Sequence, residues 1–112
     1  MSRTVNKYDL NNGKVLEITN YELLEGVVFK KIYMSNVEFS EGTEFVVNVE
    51  QGNLLMDYPR EFYAVYPESS KRRGVALQYT YVNSKKAILK ALDDGNGFPK
   101  KINVEIEIPI KL

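Results

Sequence analysis

Apolar and polar positions alternate with a period of two through most of this chain, and most regularly towards its C-terminal end. Ile102, Val104, Ile106, Ile108 and Ile110 fall on one side, while Asn103, Glu105, Glu107 and Pro109 fall on the other. That is the pattern of a strand with one buried face. The same reading applies to Thr43–Val49, where Phe45, Val47 and Val49 oppose Glu44, Val46 and Asn48. Val27–Phe39 is rich in valine, phenylalanine, isoleucine and tyrosine and predicts a further strand, with Ser40-Glu41-Gly42 as the turn between the two. Short alternating stretches at Thr4–Leu10 and Lys14–Thr19 flank Asn11-Asn12-Gly13, a sequence suited to a tight hairpin. Glu61–Tyr66 reads as a strand ending at Pro67, and a polar connection leads from it to Val75–Val82, so these two are expected to pair antiparallel. On the latter strand Val75, Leu77, Tyr79 and Tyr81 share one face.

One segment departs from this period. Ser84 suits a helix N-cap, Ala87, Ile88, Ala91 and Leu92 recur at helical spacing, and Asp93-Asp94-Gly95 suits a helix end. The spacing predicts one helix, at about 84–93. The expected fold is therefore mainly β within the α+β class: a small antiparallel sheet or an OB-like barrel of about five to six strands, with one helix in the C-terminal half.

At 112 residues the chain is expected to form one domain, 1–112. It has no cysteine and no histidine. Disulfides and thiolate metal sites are thereby excluded, as are the commonest nucleophile and its base. No phosphate-cradling glycine loop, nucleophile elbow or calcium loop is present, and no cofactor or metal is expected. Two carboxylates alone can catalyse hydrolysis, yet no spacing here points to such a pair, so the expectation is a protein without catalytic activity. The N-terminus has no apolar run of the signal-peptide kind and no stretch has the length of a membrane helix, which predicts a cytoplasmic protein with no membrane partner.

Charge changes the picture only by its distribution. Basic and acidic residues are equal at 15 each. Residues 1–56 carry five basic and eight acidic side chains, whereas 57–102 carry nine and five. The basic half is also where aromatic residues and cations interleave: Tyr63 and Tyr66 precede Lys71-Arg72-Arg73, Tyr79 and Tyr81 follow it, and Lys85 and Lys86 come next. Aromatic rings stack unpaired bases while lysine and arginine neutralise phosphates, so these nine residues are the candidate site for single-stranded DNA or RNA. A core position for the tyrosines and a solvated loop for the cations is the competing structural reading.

Arg73-Gly74-Val75-Ala76-Leu77-Gln78-Tyr79, then the predicted helix and Ile102-Asn103-Val104-Glu105, resembles over roughly 35 residues the second half of an RNA recognition motif domain. That resemblance implies an α+β sandwich binding RNA on its sheet. Val75 and Leu77 occupy the two places where the family carries stacking aromatics, so the stacking residues themselves are not carried over. The competing functional class is a protein-interaction or assembly module, such as a small inhibitor or structural subunit. In that reading the C-terminal strand pairs across a homo-oligomer.

Overall fold

The computed structural model describes residues 6–20, 26–56, 62–65, 74–92 and 100–112. Nine strands run in the order β1 (Lys7–Asp9), β2 (Lys14–Asn20), β3 (Val27–Phe39), β4 (Glu44–Asn48), β5 (Asn53–Leu54), β6 (Phe62–Val65), β7 (Gly74–Asn83), β8 (Lys86–Ala91) and β9 (Lys100–Lys111). A single 3-10 turn at Leu10–Asn12 joins β1 to β2. All nine belong to one sheet with the spatial order β1-β4-β8-β7-β6-β9-β3-β2, and β5 adds to β9 off this path. Every pairing is antiparallel except β1 with β4.

The sheet is open and strongly curled, a half-barrel. Its connectivity requires the curl. β1 and β2 form opposite ends of the strand order, yet only the five Cα steps from Asp9 to Lys14 separate them, a reach of at most about 18 Å. β2 covers β3 only from Val28 to Tyr33. Beyond it, β1 docks on β3 directly: the Glu38 N–H donates to the Tyr8 hydroxyl at 2.8 Å, and the Asn6 amide donates to the Glu38 carbonyl at 3.4 Å. The corner into β4 is held by buried Thr43, whose Oγ1 accepts the Ser40 N–H at 3.0 Å and lies 3.3 Å from the Glu38 carbonyl.

Inside the curl lies one apolar core. β9 contributes Val104, Ile106, Ile108 and Ile110, β4 contributes Phe45 and Val47, β7 contributes Val75 and Leu77, and β8 contributes Ala87, Leu89 and Ala91, all buried. These are the period-two positions of each strand, as pleating demands. β3 carries a bulge between Met34 and Val37, where Asn36 adopts φ 55° and donates its N–H to Asn103 Oδ1 at 3.1 Å. Asparagine tolerates that left-handed conformation better than most residues.

The mainly β, barrel-like expectation agrees with this structure, but three finer expectations do not. Among the described residues the sheet has nine strands, not five to six. The segment expected to be a helix at about 84–93 is instead, over Lys86–Ala91, strand β8, zipped between β4 and β7. Ala87, Leu89 and Ala91 point inward and Lys86, Ile88 and Lys90 outward, so period two prevails over the helical spacing of the same apolar residues. Ser84 is not a helix cap: it sits in a tight turn closed by Asn83 Oδ1, which accepts the Lys85 N–H at 2.8 Å. Helical structure among the described residues is limited to the 3-10 turn, so the RNA-recognition-motif arrangement has no counterpart. Thirdly, Asn11-Asn12-Gly13 does not close a hairpin: β1 pairs with β4, β2 pairs with β3, and Gly13 has φ −77°.

Candidate functional site: the mouth of the half-barrel

β3 contains consecutive lysines, Lys30 and Lys31, and in a two-sided strand consecutive residues must face opposite ways. Lys31 faces out, where its ammonium lies 2.9 Å from Glu17 Oε1. That hydrogen bond, together with the charges of Glu17, Glu105 and Glu107, raises its pKa against a smaller opposing effect of burial. Lys30 is thereby turned to the concave side, opposite inward-facing Ile108 of β9. It makes no ion pair among the described residues.

Lys30 lines a cleft of about 390 Å³ at the mouth of the half-barrel. The floor is aliphatic, made by Ile32, Val47, Ile108 and Ile110. Leu10, Asn11 and Gly13 of the connection between the sheet's two ends form one wall with Val15; Asn48, Val49, Glu50 and Gln51 form the other. The volume falls within the range of about 300–1,000 Å³ common to small-molecule pockets, and polar atoms make up slightly more than half of its exposed lining, over the aliphatic floor.

Both walls are built close. A Cβ on Gly13 would lie 2.4 Å from Ile32 Cγ2, so only glycine lets the connection pass this near β3. Gly52 has φ +77°, and a Cβ there would lie 2.7 Å from Ile110 Cγ2 and 2.8 Å from the Lys111 carbonyl oxygen. The second wall is pinned from outside by the β7–β8 turn: the Val49 N–H donates to the Lys85 carbonyl at 2.9 Å, the Leu54 N–H to the Ser84 carbonyl at 2.8 Å, and Lys85 Nζ to the Gly52 carbonyl at 2.6 Å.

The residues expected from sequence to bind nucleic acid are placed differently. Tyr66, Lys71, Arg72 and Arg73 lie outside the described residues, and for Tyr63 only the backbone, paired with Ala76, is described. Tyr79 and Tyr81 are half-buried and pack against the core from the concave face. The Tyr79 hydroxyl donates to the Leu55 carbonyl. Lys85 braces the turn just described, and Lys86 is exposed on the outward face of β8 beside Asn48. The structure thus brings Tyr79 and Tyr81 together on one face but does not join Lys85 or Lys86 to it.

Burial, with a smaller contribution from neighbouring Tyr81, pushes the Tyr79 pKa up to about 12. Because the folded value lies above the unfolded 10.0, this group's contribution to stability is complete below pH 10 and is lost as pH rises towards 12. Tyr79→Phe is therefore expected to cost about 1 kcal/mol at neutral pH through the lost hydrogen bond. It should also reduce the loss of stability that sets in as pH rises above 10. Urea unfolding of both proteins from pH 8 to 11.5 checks this, since the other titrating groups are common to both.

With the cleft defined, its chemistry can be compared with known proteins. No family model, curated protein or solved structure matches this chain. Among the described residues no group of three or more Asp and Glu is placed to hold a metal ion, and no helix is long and apolar enough to cross a membrane. Among the described residues the mouth is lined by aliphatic side chains, amide groups, one lysine and one glutamate. It offers shape, aliphatic surface and one inward cation.

Proposed function

We propose that this chain is a binding protein without catalytic activity whose ligand is a small amphipathic molecule held in the mouth of the half-barrel. The observation that carries this reading is the cleft itself: an aliphatic floor open to solvent at the mouth of the half-barrel. Burying apolar ligand surface there releases water at about 25 cal/mol per Å². The test uses the neutral apolar fluorophore N-phenyl-1-naphthylamine. Saturable binding in the micromolar range is expected. Val49→Trp, which adds bulk at the half-buried rim, should weaken it by about tenfold or more while leaving the melting temperature within a few degrees. No saturable binding, or equal binding by the variant, would overturn the proposal.

Single-stranded nucleic acid is the second reading. It is favoured by the barrel-like curl, an architecture whose sheets often bind single strands, and by exposed Lys86. The inward placement of Tyr79 and Tyr81 weighs against it. Salt-sensitive binding of labelled single-stranded DNA that survives Val49→Trp would shift the balance to this reading. An assembly module acting by strand addition would use β1 or β2. β9 is inside the sheet, with β3 on one side and β5 and β6 on the other.

A further inference from the structure

We infer that the ligand class of this cleft is a medium-chain aliphatic anion, a carboxylate or its like, with its head group at Lys30 and its tail over Ile32, Val47, Ile108 and Ile110. This rests on the binding reading above and specifies its chemistry.

Lys30 is partly buried on the concave face, where an anionic group can reach its ammonium from the open side of the cleft. Lys30 lies opposite Ile108 of β9 and Ile18 of β2, both aliphatic, and has no ion-pair partner among the described residues. Its outward neighbour Lys31, one residue away on the same strand, does have its carboxylate. The cleft's other charged lining residue, Glu50, is exposed and makes no ion pair with Lys30. The inward cation is thus the group a ligand can satisfy, and an anion is the ligand that does so. A lysine stem also lies along apolar surface while its ammonium reaches the rim, which places the head group near water and the tail beneath it.

Size follows from the volume. A cleft of about 390 Å³ lies at the small end of the range for small-molecule pockets, which suits a chain of medium length, on the order of ten carbons with its head group. Longer chains would protrude between the walls and gain little.

The test is displacement of N-phenyl-1-naphthylamine by three ten-carbon competitors that differ only in the head group: decanoate, decanol and decyltrimethylammonium. Decanoate is expected to displace the probe at about tenfold lower concentration than decanol, with the cation weakest. Lys30→Met keeps the stem and removes the charge; it should abolish the preference for decanoate over decanol. Lys31→Met makes the same charge change on the convex face and should preserve the preference. Circular dichroism confirms that each variant is folded. Equal displacement by all three competitors, or a decanoate preference that survives Lys30→Met, would overturn the anion assignment while the binding reading stood. Failure of the neutral probe to bind wild-type protein would overturn both.

Discussion

Leu89→Lys is expected to destabilise the protein by about 4 kcal/mol or more, enough to unfold a marginally stable domain, whereas Ile88→Lys should leave it folded within about 1 kcal/mol. The contrast follows from strand β8. Leu89 is fully buried between Phe45 of β4 and Tyr79 of β7, so an ammonium there would have neither water nor a counter-ion. Ile88 faces out between Val46 and Thr80, and its neighbours on the same face, Lys86 and Lys90, are already charged. A helix over this segment would reverse the result, because helical spacing puts Ile88 on the apolar stripe with Ala87, Ala91 and Leu92. Urea denaturation of the two variants, read by circular dichroism, distinguishes the alternatives.

Phe45→Ala is expected to cost about 3–5 kcal/mol. Phe45 is the largest fully buried side chain among the described residues, and its ring stacks on Tyr8 at a centroid distance of 5.8 Å and an interplanar angle of 28°. Tyr8 in turn accepts the Glu38 N–H, the contact that ties β1 to β3 and draws the two ends of the sheet together. The cavity left by truncation would therefore also loosen the closure of the half-barrel. Amide exchange should report both effects: global protection falls with stability, and the amide of Glu38 loses protection beyond the rest of β3. A loss below about 1 kcal/mol would show that the closure does not depend on this ring.

The sequence was legible where a single pattern was available. In β9 and β7 the alternation left no competing period, and the faces inferred from it match the buried sets Val104, Ile106, Ile108, Ile110 and Val75, Leu77. At Lys86–Ala91 two periods coexist, since Ala87 and Ala91 belong to both the helical and the strand face. The choice is made by residues distant in sequence: β4 and β7 each need a hydrogen-bonded neighbour, and β8 supplies both. Asn11-Asn12-Gly13 failed as a hairpin for a related reason. The local turn chemistry was compatible, but β1 and β2 have other partners, and which strands pair is not a local property.

The cleft was less legible than the fold, because its lining comes from β2, β3, β4, β9 and two connections, and no single segment carries its signature. One sign was present. The Lys30-Lys31 doublet, flanked by Val27-Val28-Phe29 and Ile32-Tyr33-Met34, obliges one charge to face the concave side. The tyrosines of β7 drew attention for their binding chemistry, yet on a strand whose alternate residues are Val75 and Leu77 they share the inward face.

The measurement that addresses the central claim most directly is a methyl-labelled NMR titration of the protein with decanoate. The account predicts saturable shifts at the methyl groups of Ile32, Val47, Val49, Ile108 and Ile110, with Ile88 and Val82 on the exposed β7–β8 surface unchanged. Absence of shifts at the five cleft residues, or shifts centred on β7 and β8 instead, would contradict it.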